Sequence, residues 1–239
     1  MSDLLTRVID AHGGLERWRW FSTVEATIVT GGALWGMKGL VQTPESRRMT
    51  VALHEQRASV FPYGEPHWRT AFTPQRIAIE TLSGDVVRER FDPRASFDGH
   101  DRETPWDPLH RAYFNGYALW TYLTTPFLML MPGVEVDEVT GRREAGETWR
   151  ALRCRFPPSI ATHSTEQTFY FGEDGLLRRH DYNVDVAGGF LGAQLVFDYV
   201  EVQGLRQPTR RRAYVGDARS EVIPDPVMVS IDVSDIRYS

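Results

Sequence analysis

The chain has 239 residues, a formal net charge of -5, 41% hydrophobic residues and 12% aromatic residues. That apolar share suffices for a sizeable core, and the acidic balance argues against a nucleic-acid partner, which would normally show a basic face. With a single cysteine, neither an internal disulfide nor a cysteine-rich zinc site can form. No apolar run approaches the length of a membrane span.

The N-terminus, Met-Ser-Asp-Leu-Leu-Thr-Arg, lacks a basic segment followed by an apolar run. No signal peptide is therefore visible, and a cytoplasmic location is expected. Residues 2–13 read as a short amphipathic helix, capped by Ser2 or Asp3 and stopped by Gly13-Gly14, with His12 as a cation complementing the helix dipole. Strand patterns follow at 23–29, 33–41, 48–54, 58–62, 68–73, 76–81 and 86–91. Gly, Pro, Ser or Asp punctuates them in the cadence of an antiparallel meander.

Residues 107–131 break this pattern. Asp107 is a good N-cap and Pro108 fits the first helical position. Leu109, Tyr113, Gly116, Trp120 and Leu123 make a helical stripe, while Phe114, Ala118 and Tyr122 fill the opposite side. A helix apolar nearly all round must be buried on more than one face. In a β-rich chain it fits inside a curved sheet as a plug or lid, with Gly116 leaving room beside its backbone. Thr125-Pro126 restarts a short helix that Pro132-Gly133 ends.

Strands resume at 134–139, 149–156, 166–172, 175–186, 194–203, 209–215 and 227–233. Cys154 lies in the alternating run 149–156 and reads as a packed thiol. Arg210-Arg-Arg212 reads as a solvated edge strand protected by charge. The expected architecture is mainly β. It is a single domain over 1–239, one strongly curved antiparallel sheet forming a half-open β-barrel. It carries an N-terminal helix at 2–13, strands at about 23–91, a helical lid at about 107–131 and strands at about 134–233.

Three stretches carry a family resemblance: Val8-Ile-Asp-Ala-His-Gly-Gly-Leu-Glu-Arg-Trp18, the hairpin Phe169-Tyr-Phe-Gly-Glu-Asp-Gly-Leu-Leu-Arg-Arg179, and Val229-Ser-Ile-Asp-Val-Ser-Asp-Ile-Arg-Tyr238. Together with the order of elements, they resemble the lipoprotein-carrier superfamily, which includes the LolA and LolB carriers and the mycobacterial LppX and LprG lipid binders. The resemblance implies a half-open antiparallel barrel whose apolar cavity is covered by inserted helices. The motifs are generic, and the chain departs from those exported carriers in showing neither a leader nor a lipobox cysteine.

The seven histidines are the first candidates for chemistry. His54 and His67 flank turns, and His100 sits on a loop leading to the lid. His110 occupies the third position of the lid helix, on the same helix as Tyr113, Tyr117 and Trp120. A turn at Glu173-Asp174 places His180 opposite Gln167 and Tyr182 opposite Thr165, with His163 near Val184. His163, His180 and Tyr182 then share a face, whereas Asp181 points away. Candidate acid–base residues are His110, His163, His180 and Tyr182. Candidate ligand-binding residues are Trp35, Trp68, Trp106, Tyr113, Tyr117, Trp120 and Phe169. No metal motif, nucleophile elbow or nucleotide loop is present, so neither a metal nor a cofactor is expected.

The pattern points to binding of a hydrophobic small molecule or lipid between curved sheet and lid helix, without nucleic acid or membrane span. The alternative is a cofactor-independent isomerase, cyclase, lyase or hydrolase acting on an apolar or aromatic metabolite in the same cavity. A purely structural module would instead show a filled interior and a large exposed apolar patch.

Overall fold

The computed structural model describes residues 2–144, 146–217 and 220–239. Its strands form one 14-stranded antiparallel sheet. The first run is β1 (Thr23–Gly31), β2 (Arg47–Ala52), β3 (Ala58–Phe61), β4 (Trp68–Thr73), β5 (Arg76–Thr81) and β6 (Val86–Phe91). The second comprises β7 (Glu135–Glu144), β8 (Glu147–Arg155), β9 (Glu166–Phe171), β10 (Leu177–Val184), β11 (Phe190–Val202), β12 (Leu205–Gly216), β13 (Val222–Ile223) and β14 (Val229–Tyr238).

Across the sheet the order is β6-β5-β4-β3-β2-β1-β14-β12-β11-β10-β9-β8-β7, with β13 paired to β12. Two meanders thus join where the first strand meets the last, Val24 opposite Tyr238 and Thr30 opposite Ile231. β6 and β7 remain unjoined edges, so the mainly-β sheet is curved and half-open rather than a closed barrel.

Among the described residues four α-helices accompany it: α1 (Asp3–Ala11), α2 (Leu15–Arg19), α3 (Leu34–Met37) and α4 (Pro108–Thr124). No helix among the described residues is long and apolar enough to cross a membrane. The start of α4 is a capping box. The Asp107 carboxylate accepts from the His110 N–H at 2.8 Å, and His110 Nδ1 accepts from the Asp107 N–H at 3.1 Å.

Every α4 residue except Pro108 and Arg111 is buried. Its last carbonyls therefore cannot turn to water, and strand side chains satisfy them. Arg211 on β12 donates to Tyr122 O at 2.8 Å, and Gln207 donates to Leu123 O at 3.0 Å. Mid-helix, Trp120 Nε1 donates to Ala52 O at 2.9 Å and Glu55 O at 3.0 Å, fastening α4 to the β2–β3 turn.

Several expectations are corrected. Residues 33–41 hold α3 and a loop rather than a strand, because Gly32 brings the backbone against Met228 and ends β1 there. The buried Lys38 ammonium then donates to Asp101 O at 2.7 Å, tying this stretch to the loop before α4. The Arg210–Arg212 run is not an edge. β12 lies between β14 and β11, Arg211 is buried, and Arg210 and Arg212 pair with Asp198 and Asp232.

His180 sits opposite Phe169 and Tyr182 opposite Gln167, because a bulge between Leu177 and Arg179 shifts the register. His12 is not a capping cation. Burial lowers its pKa to about 4, and the neutral ring lies 2.8 Å from Val8 O through Nδ1. Gly116 leaves no spare room either, since a Cβ there would lie 2.3 Å from Cγ of the buried Phe72.

Alanine at position 116 raises helix propensity by about 1 kcal/mol. The contact with Phe72 costs more, about 1–3 kcal/mol of overpacking. Gly116→Ala is expected to lower the urea midpoint, and Phe72→Ala is expected to restore part of the loss in the double variant. Trp120→Ala removes a fully buried ring and two hydrogen bonds, and chemical unfolding should register a loss of about 3–5 kcal/mol.

Candidate functional site

α4 leaves open space on two sides. The larger cleft, about 620 Å³, lies between the N-terminal half of α4 and strands β1–β3. Ile28 and Thr30 of β1, Val60 of β3, and the following Pro62 and Tyr63 line it, together with Arg111 and Asn115 of α4. Arg47, directly opposite Ile28 in the sheet register, faces the same space. The Tyr63 hydroxyl donates to Pro108 O at 2.7 Å, holding the β3–β4 connection on the start of the helix.

Residues 40–45 form a strap along this cleft. The Gln42 amide donates to Thr30 Oγ1 at 3.2 Å, and its carbonyl accepts from Arg111. The Arg111 guanidinium also donates to Val41 O at 3.0 Å and lies 4.6 Å over the Trp35 ring. Its Nε is buried without a partner among the described residues. Asn115 is only 8% exposed, yet among the described residues its side chain makes no hydrogen bond. Thr30 and Asn115 also bound a void of about 10 Å³ that reaches Trp35, Phe114, Leu119, Tyr122 and Ile231. That is about the least room a water molecule needs, so the inner end of the cleft is shut.

The second cleft, about 520 Å³, is lined by Asp92, Arg94, Tyr113, Phe156, Ile160 and Thr162, among others. Behind it lies a buried cluster of rings. His163 Nδ1 is 3.2 Å from the Tyr117 hydroxyl, and Nε2 is 2.7 Å from that of Tyr122. The Tyr122 hydroxyl lies 3.1 Å from that of Tyr182, whose ring stacks on His163 at 4.0 Å. A neutral imidazole donates from one nitrogen and accepts at the other, so the chain Tyr117–His163–Tyr122–Tyr182 has a direction. Arg94 bridges cleft and cluster, donating to Thr162 O, to Asp185 Oδ2 at 3.1 Å and to His163 O at 3.4 Å.

Burial, reinforced by the Arg94 charge, pulls the His163 pKa down to about 3. Burial likewise pushes Tyr122 up to about 12 and raises Tyr117 and Tyr182. His180 is lowered by burial and by the neighbouring His163 and Arg211. At neutral pH these rings are therefore uncharged and act as hydrogen-bonding groups. No group of three or more His, Cys, Asp and Glu side chains able to hold a metal ion occurs among the described residues.

Three of the four candidate acid–base residues come together, His163, His180 and Tyr182, with His180 Nε2 2.7 Å from Gln167 Oε1. His110 stands apart in the capping box, against Phe97 and His100. Of the aromatic candidates, Tyr113 lines the second cleft and Trp35 the void. Trp106, Tyr117, Trp120 and Phe169 are buried in packed surroundings, and Trp68 is half-buried at the start of β4.

Arg47, Arg94, Arg111 and Asn115 escaped the sequence reading. A signal for two of them was present. Arg111 and Asn115, four residues apart, are polar positions sharing one face of an otherwise apolar helix, which marks a side not sealed by core.

No protein-family model matches the chain, and no curated protein matches it in sequence. In structure it is similar to a LolA superfamily protein from Nitrosomonas europaea, at 10% identity and a TM-score of 0.52, covering 98% of this chain and 92% of that one. A protein domain from Vibrio parahaemolyticus named for outer membrane lipoprotein sorting gives 8% identity and a TM-score of 0.54 over 99% and 91% of the two chains. A DUF1329 family protein from Desulfovibrio piger gives 9% and 0.53 over 100% and 94%. The chain thus has a LolA-like fold. At these identities the likeness concerns the fold alone.

The buried histidines make stability depend on pH. Unfolded histidines titrate near 6.5. Folded His12 and His163 titrate at about 4 and about 3. Below pH ~6.5 the unfolded chain binds more protons, so stability falls with pH until those lower values, by roughly 1.4 kcal/mol per pH unit for each histidine. His163→Gln is expected to make this slope shallower in urea titrations between pH 7.5 and 5. An unchanged slope would mean that His163 binds its proton alike in the folded and unfolded chains.

Proposed function

We propose that the chain binds a hydrophobic small molecule or lipid in the larger cleft between α4 and β1–β3. One observation carries the reading: a cleft of about 620 Å³, walled by Ile28, Val60, Leu40 and Pro62, that runs toward the apolar void beneath the helix. That volume is in the range of small-molecule sites, and an apolar wall standing beside Arg47, Tyr63, Arg111 and Asn115 suits a ligand with an apolar part. The LolA-like fold supports the reading, because one structural neighbour is named for lipoprotein sorting. That same neighbour lends no support to a cytoplasmic location.

The ligand site moves accordingly from the centre of the lid helix to its N-terminal half. Trp35 lies behind it, under the Arg111 guanidinium and against the void, whereas Trp120 serves the attachment of α4.

The second reading is a cofactor-independent enzyme using His163 and Tyr182. Its support is the second cleft, whose Arg94 and Tyr113 touch the ring cluster. The electrostatics count against it. A histidine held neutral down to about pH 3 is a weak base, and tyrosines with raised pKa values are weak acids.

Leu40→Trp, on the half-buried strap, fills the larger cleft without touching the ring cluster. It is expected to weaken binding of an apolar fluorophore such as 1-anilinonaphthalene-8-sulfonate by roughly tenfold or more, about 1.4 kcal/mol, with the thermal midpoint little changed. Unchanged probe affinity would remove the cleft as the site.

A further inference from the structure

We infer that the occupant of the larger cleft is an amphiphile with an acidic headgroup, a carboxylate or a phosphate monoester. The headgroup sits between Arg47 and Arg111, and the chain lies along Ile28 and Val60 toward Asn115. The inference rests on the cleft being an apolar-ligand site and adds the polarity and charge of what enters it.

Two guanidinium groups line this one space, and neither forms an ion pair among the described residues, whereas Arg57, Arg69, Arg76 and Arg90 each have a carboxylate partner. Arg111 is the more telling. Both of its terminal nitrogens are engaged by neutral oxygens, Val41 O and Gln42 Oε1, and its Nε is buried with no acceptor. Leaving a buried donor unmatched is costly, and a guanidinium is built to take two oxygens of one anion at once. Arg47 makes a single side-chain hydrogen bond, to Thr43 Oγ1 at 3.2 Å, and that hydroxyl donates to the exposed Glu45 at 3.3 Å, so among the described residues no carboxylate pairs with the guanidinium directly.

Other groups on the cleft agree with this placement. Asn115 keeps an unused amide deeper inside, on the wall shared with the void. The acidic groups of the cleft, Glu45 and Glu65, are both exposed at its rim, where water and salt screen them. Arg47 stands opposite Ile28 across β1–β2, so positive charge and apolar wall are adjacent on one sheet face. The strap supplies the exchange. Val41 O and Gln42 Oε1 occupy the guanidinium in this structure, and an anion entering the mouth replaces them while releasing Gln42 from Thr30.

The test compares four probes with the same ten-carbon chain, decanoic acid, decyl phosphate, 1-decanol and decyltrimethylammonium. Each is titrated calorimetrically, below its micelle concentration, into the wild-type chain, Arg47→Gln and Arg47→Gln/Arg111→Gln. Charge-assisted hydrogen bonds predict that at least one acid binds roughly tenfold or more tightly than decanol, and that high salt narrows the gap. The ratio of acid to decanol affinity is expected to shrink in Arg47→Gln and to approach one in the double variant, whatever happens to decanol affinity itself. Because Arg111 also ties the strap, Arg47→Gln alone decides the matter if the double variant does not fold.

The relative affinities of decanoic acid and decyl phosphate separate the two headgroups. Equal affinity for acids and decanol, or preference for decyltrimethylammonium, overturns the headgroup inference and leaves the apolar site standing. If none of the four binds, the cleft reading itself fails.

Discussion

A helix sealed inside a protein must find partners for its last carbonyls within the protein, and that requirement organises this fold. α4 ends beneath the middle of the sheet, where β12 supplies Arg211 and Gln207 to Tyr122 O and Leu123 O. Arg211 is wholly buried and has no carboxylate partner among the described residues. The negative end of the helix dipole takes that role, with the Tyr122 ring 5.0 Å from the guanidinium. The remaining polar groups nearby answer one another: Arg211 donates to Gln194 at 2.9 Å, and His180 lies 2.7 Å from Gln167. In a low-dielectric interior such a belt is stable when its members are matched, and it then admits only one arrangement of helix on sheet.

The two ends of α4 therefore differ in kind. At the C-terminal end the hydrogen-bonding groups of Arg211, Gln207 Nε2, His163 and three tyrosines are engaged inside the protein. Among the described residues Gln207 Oε1 is buried there without a partner, as Arg111 Nε is near the N-terminal end, but Arg111 and the unpaired Asn115 amide border the larger cleft. An unmatched donor at the wall of an open cleft can be met by another molecule, whereas one enclosed by core cannot. The same contrast explains why the His163 cluster, although it gathers the residue types common in catalysis, reads more readily as internal scaffolding.

Much of the fold was legible because strand alternation and turn residues are local signals. The strands at 68–73, 76–81 and 86–91 have the expected bounds, and Asp107-Pro108 marks the start of α4. The burial of that helix could be inferred from Phe114, Ala118 and Tyr122 lying opposite its apolar stripe. Distant partnerships left no such trace. Nothing near Arg211 in sequence announces a helix C-terminus 89 residues away. Likewise Gly116 reads as spare room until Phe72 of β4 is brought against it. The ring cluster was half legible: alternation put His180 and Tyr182 on one face, but the bulge that sets their register is invisible without the partner strand.

The seam between β1 and β14 has a consequence for how the chain comes together. The meander from β1 to β6 is contiguous in sequence and pairs neighbour with neighbour, so it can assemble as soon as it is synthesised. Its other flank stays unsatisfied until residues 229–238 arrive to pair with residues 23–31. Until residues 229–238 are made, the growing chain thus presents β1 as a bare hydrogen-bonding edge, and the carbonyls of α4 that Arg211 and Gln207 later meet lack those partners until β12 is made. Closure of this long-range seam joins the two meanders late, and loss of the final strand would leave two half-sheets with no shared ladder.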